Sequence, residues 1–163
     1  MTTIARLAGS VVAGLGATWM MDRADKLVYN AQSEAVHRPE SELEDLTGPG
    51  QFARAVMRAA GHEPSHDEAV RWGRVAHVSF GVLLALAYVP LSRRARWLRG
   101  GGGALYGALA FPANAVVVPA LGLTPPTTAF PPQTALRGLL YHLVYGIALE
   151  TQVRALRLRA DDA

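Results

Sequence analysis

The chain has 163 residues, half of them drawn from AVILMFWYC, 18% charged and none of them cysteine, with a mean hydropathy of +0.15. That length bounds one domain and that oiliness exceeds an ordinary soluble fold, while the lack of cysteine excludes disulfides, thiolate metal sites and cysteine nucleophiles. The net charge of +3 would suit nucleic acid, but fifteen of the sixteen basic residues are arginines gathered at the borders of apolar stretches, a placement that reads as membrane topology.

A spanning helix needs about 20 mostly apolar residues. The first window, 4–21, begins with few basic residues and ends in bulky "TWMM", not in a small-x-small cleavage site, so it reads as a retained helix and not as a signal peptide. The connection 22–74 follows and contains elements of its own. Its "SEAVHRPESELEDL" stretch is a surface helix or a loop, "GPGQFARAVMRAAGHEPS" predicts a short helix over 51–60, and Ser65 with Glu68 predicts a capping box that opens a helix running into the second window. His62, Glu63 and His66 spell the zinc-protease pattern H-E-x-x-H. That pattern needs one continuous helix, which Pro64 and the cap at Ser65 interrupt.

The second window is 75–91. After it, "SRRARWLRG" carries Arg93, Arg94, Arg96 and Arg99, which places this loop in the cytoplasm by the positive-inside rule. The third window, 101–121, carries a kink expected at Pro112. The uncharged "LGLTPPTTAFPPQTA" connects it to a weaker fourth window, 135–153, which contains Arg137 and Glu150 and precedes a basic C-terminal stretch. The reading is one membrane domain over 1–163: an all-α, four-helix transmembrane bundle, multi-pass in the bacterial inner membrane, with both termini cytoplasmic and the 22–74 loop outside.

"GRVAHVSFG" (73–81) lies over "GLLYHLVYG" (138–146) as Gly-x3-His-x2-aromatic-Gly, and Gly9 and Gly14 match the spacing of Gly102 and Gly107. The simplest account is a duplicated helical hairpin whose glycines permit close helix contact, within one chain or between copies. Parallel copies put His77 and His142 at one depth, roughly one turn below the outer surface, with Asp22 and Asn114 in the same half. These four polar groups would converge there.

Ionisable groups inside a membrane are candidate functional residues, because they cost several kcal/mol without a partner. Three readings of His77 and His142 stand. They make interhelical hydrogen bonds, or they are an axial pair for haem or a metal between the second and fourth helices, or they form a proton path with Asp22 and Glu150. Glu150 lies about 12 Å deeper than His142, so a path needs water or another side chain between them; its structural reading is a salt bridge to Arg154. The sequence contains no phosphate loop, nucleophile elbow or defensible catalytic carboxylate pair, which favours a non-enzymatic role.

"GLGATWMMDRADKLVY" (14–29), with the glutamate-rich loop and the later histidine-glycine helix, resembles the YagU-like family of small bacterial inner-membrane proteins. The resemblance implies a multi-pass inner-membrane protein linked to acid resistance, without an established chemistry. The expected function is therefore a non-enzymatic protein of the lipid bilayer, as a homo-oligomer or a small subunit of a membrane assembly. The alternative is a haem- or metal-binding, or proton-conducting, protein using His77 and His142.

Overall fold

A computed structural model describes residues 2–159, which form helices and turns with no strand among them. The α-helices are α1 (Thr3–Ala31), α2 (Glu34–Leu43), α3 (Gly48–Ala59), α4 (His66–Arg94), α5 (Ala104–Pro112), α6 (Val118–Ala120) and α7 (Pro132–Ala155). α1 packs on α4 and α7, α5 packs on α7, and α3 lies along α4.

Three stretches are long and apolar enough to cross a membrane: Thr3–Ala31, His66–Arg94 and Arg96–Ala120. α7 is a fourth long helix whose polar residues keep it less apolar than these. α1 and α4 each contain 29 residues, or about 43 Å, which overshoots a hydrocarbon core of about 30 Å. Charged Asp22 ends the apolar window of α1 but not its helix, because no breaker appears before Gln32, whose backbone N–H closes the end on the Tyr29 carbonyl.

The packing is compatible with a membrane protein. Small residues, Ala13, Gly14, Ala17 and Thr18, fill the buried face of α1, while Leu7, Val12, Leu15 and Trp19 are exposed on the same helix. α4 exposes Leu83, α5 exposes Leu109 and α7 exposes Leu136 and Ile147. Water would drive these side chains inward, whereas lipid does not, and close helix contact then depends on small residues. A Cβ on Gly14 would stand 2.9 Å from Val82 Cα on α4, and one on Gly146 of α7 would stand 2.7 Å from the Gly107 nitrogen of α5. Gly107 in turn lies against the His142 carbonyl and the Leu143 backbone.

The third window differs from its expected form. Gly101, Gly102 and Gly103 have φ of +60°, +66° and +99°, a left-handed run that glycine alone adopts without strain, so α5 starts at Ala104 instead of 101. Gly102 has nothing near its missing side chain and makes no close helix contact. Gly9 faces the Leu158 side chain, not a helix backbone. After Pro112, residues Ala113–Val117 form a π-turn, because proline supplies no N–H to the helical ladder; Thr127 Oγ1 donates to the Ala115 carbonyl at 2.6 Å.

The connection between α1 and α4 is a helical collar. The helix opening at α3 starts at Gly48, three residues before the expected boundary, with Pro49 pre-set in its first turn. A Cβ on Gly73 would stand 2.6 Å from Gly50 Cα, so glycines set α3 directly on α4, and Phe52 meets Phe80 edge-on at 5.2 Å. The capping box at Ser65 and Glu68 is formed. α4 begins at His66, so His62 lies outside it and the H-E-x-x-H pattern has no single helical face; His62 faces Glu68 and His66 faces Asp45.

Candidate polar site at the ends of the bundle

Where α1 leaves its apolar window, Asp22 meets His77 of α4, with Nε2 donating to Oδ1 at 2.8 Å. One turn further, Asp25 faces Arg137 of α7 at 3.2 Å. Arg137 also holds Glu40 of α2 at 3.1 Å, donates to Gln32 at 2.5 Å and lies 5.0 Å over the Tyr29 ring. Thr134 donates to Glu40 as well, and His37 stacks on Tyr29 with ring centroids 4.0 Å apart. One arginine, its side chain 12% exposed, thus joins α1, α2 and α7. In the linker after α2, burial pushes the Glu44 carboxyl up to about 7, with Asp45 and Glu40 adding negative charge that acts the same way.

His142 lies deeper on α7. Its Nδ1 is 2.7 Å from the Gly138 carbonyl, which only accepts, so Nδ1 donates there and Nε2 is the second ring nitrogen. The ring stacks on Tyr141 at 4.8 Å and meets Phe111 edge-on at 5.6 Å. His77, bonded through Nε2 to a carboxylate, keeps Nδ1 as its second nitrogen. The structure therefore pairs His77 with Asp22 and leaves His142 on its own helix. Asn114 lies elsewhere, its Oδ1 3.2 Å from where a Gly48 Cβ would stand at the start of α3. Two side chains suffice for axial haem ligation, and the uncommitted nitrogens, His77 Nδ1 and His142 Nε2, are the atoms that would serve. No group of three or more His, Asp or Glu able to hold a metal ion occurs among the described residues.

Glu150 sits at the opposite end, 1% exposed. It accepts from Tyr88 at 2.7 Å, Arg154 at 2.5 Å and Arg159 at 2.6 Å. The i,i+4 bridge to Arg154 is present, and Arg159 closes the carboxylate from the C-terminal turn. Arg159 also donates to Ser92 Oγ at 3.2 Å, and Arg99 donates to the Ser92 carbonyl at 2.9 Å.

Between the two ends, Tyr145 donates to the Gly81 carbonyl at 2.6 Å and Tyr106 to the Leu84 carbonyl at 2.8 Å. With Tyr88 bound to Glu150, three buried hydroxyls descend one face of α4. Each is committed to a fixed acceptor, which ties α5 and α7 to α4 at three levels. Sequence reasoning missed these tyrosines, and also Arg137, Glu40, Ser92 and Arg159 as a connected set. One available clue was position: tyrosine favours the membrane interface, so Tyr88, Tyr106 and Tyr145 within or beside apolar windows called for buried partners.

Residues 31–151 match the family described as "Protein of unknown function (DUF1440)". No curated protein and no solved structure matches the chain.

Proposed function

Because the chain belongs to the DUF1440 family of proteins of unknown function, we propose, from its own physical chemistry, that it is a non-enzymatic four-span protein of the bacterial inner membrane with both termini cytoplasmic. The observation that carries this is the inverted packing: large apolar side chains point outward on α1, α4, α5 and α7 while alanine, glycine and threonine fill the contacts. α7 spans with the other three, its Arg137 and Glu150 being neutralised at opposite ends of the helix. Two glycine crossings support the duplicated hairpin. Gly14 faces the Gly81 region across α1 and α4, and Gly107 faces Gly146 across α5 and α7, at the positions the sequence repeat pairs.

The resemblance to YagU-like proteins adds a link to acid resistance. Its support here is the collar, where burial raises the Glu44 carboxyl to about 7 and two histidines, His62 and His66, face carboxylates. In this reading the collar tightens on the bundle as the outside acidifies.

Reporter fusions after Arg99 and after Arg159 then report cytoplasm, and one at Thr128 reports the outside. A cytoplasmic Thr128 would overturn the orientation. A second reading, a haem held by His77 and His142, is favoured by the single uncommitted nitrogen on each ring. A Soret band that disappears in H142A would establish it, and a purified protein loaded with hemin that gives no such band would remove it.

A further inference from the structure

The inner end of the bundle gathers arginines from two distant parts of the chain. Arg99 binds the Ser92 carbonyl and Arg159 binds the Ser92 hydroxyl, so the segments 93–99 and 154–159 stand side by side. Together they hold seven arginines, and Glu150 beside them is engaged by Arg154 and Arg159. Arg94, Arg96, Arg154 and Arg157 are exposed.

Beside them Trp97 is 60% exposed, with Leu91 and Leu156 exposed as well. A soluble polyanion would neutralise the arginines and leave this apolar rim in water. A phospholipid covers both, its phosphodiester meeting guanidinium groups and its acyl chains meeting the rim. Tryptophan also favours that boundary.

We propose that this end of the bundle is a binding surface for anionic phospholipid headgroups, made when the C-terminal turn brings Arg157 and Arg159 beside the Arg93–Arg99 turn. The proposal rests on the membrane reading above. It goes beyond topology, because an orientation rule requires only that arginines stay inside, whereas this surface distinguishes one lipid from another.

The test uses the full chain in bilayer nanodiscs, with brominated lipids as fluorescence quenchers. Trp97 is read in the variant W19F/W72F, and Trp19 in W72F/W97F. Brominated phosphatidylglycerol should quench Trp97 about fivefold more effectively than brominated phosphatidylcholine at equal mole fraction, since each arginine at an anionic surface supports a preference of that order. Trp19 should be quenched equally by both lipids. The preference at Trp97 should collapse in R94Q/R96Q/R157Q and survive millimolar inorganic phosphate. Equal quenching of Trp97 by the two lipids, or loss of the preference on adding phosphate, overturns the proposal. Absence of quenching at Trp19 by either lipid overturns the membrane reading itself, which separates the two failures.

Discussion

Replacing Gly107 with alanine should force α5 and α7 apart. The added methyl would lie on the His142 carbonyl oxygen, 2.8 Å from its carbon and 3.1 Å from Leu143 Cα. All three are backbone atoms, so relief requires moving one helix by about 1 Å. Overpacking of this kind costs up to about 3 kcal/mol, and alanine returns about 1 kcal/mol of helix preference over glycine, leaving about 2 kcal/mol of destabilisation. For a chain of this length that corresponds to a fall in Tm of roughly 4–8 °C. Gly16 is the control, because its methyl would meet the Gln152 side-chain amide, 2.9 Å away at Cδ, and that flexible group can swing aside. Thermal unfolding of the purified protein in one detergent should therefore separate G107A from G16A, with G16A close to wild type. If G107A melts with the wild type, or if the two variants fall together, the argument that backbone contact fixes the α5–α7 crossing is refuted.

Three further outcomes follow from the polar groups. E150A leaves Arg159, whose side chain is 9% exposed, facing an empty site, and should cost about 3–5 kcal/mol, while Y88F, which loses only one hydroxyl, should cost about 1 kcal/mol; melting curves compare them. R137M releases Asp25, Glu40 and Gln32 together, so limited proteolysis should cut between residues 33 and 47 several times faster than in wild type, and unchanged cutting would show that α2 is held by other contacts. Glu44 is raised to about 7 in the fold against about 4.3 when unfolded, so the folded state binds the extra proton. The contribution of Glu44 to collar stability is therefore fully present below about pH 4.3 and declines as pH rises through 7, by about 1 kcal/mol once the partial solvent access of Glu44 is allowed for. Hydrogen-exchange protection of α2 and α3, taken relative to the intrinsic rate at each pH, should rise from pH 8 to pH 5 in wild type and change less in E44Q.

Features governed by near neighbours were legible in the sequence. Apolar windows located the cores of α1, α4 and the α5–α6 segment, and the spacing of Ser65 and Glu68 gave the start of α4. The interrupted H-E-x-x-H pattern was likewise readable, since Pro64 and a cap act locally. Ends and partners were less legible. α1 runs ten residues past Met21 because charge stops an apolar window without stopping a helix, and the glycines before Ala104 became a turn because several take positive φ. The polar groups followed the same division. Asp22 and His77 come together where α1 leaves its apolar window and crosses the first half of α4. Asn114 goes to the start of α3 because the collar, absent from any two-hairpin comparison, folds over the third segment. Arg137 reaches Glu40 across 97 positions, a separation at which pattern carries no information about contact.

The last described turn of the chain bears on the order of assembly. Arg157 takes a positive φ of 50°, which turns Leu158 into the space beside Gly9 and aims Arg159 at Glu150. A ribosome releases Gly9 well before Leu158. The notch on α1 therefore stays unfilled, and the carboxylate on α7 stays without its second arginine, until the turn after α7 has been made. Insertion of the earlier helices and final locking of the bundle are thus separated in time, and a nascent chain halted before residue 156 would sit in the membrane as an unlatched intermediate, a natural substrate for membrane quality-control proteases.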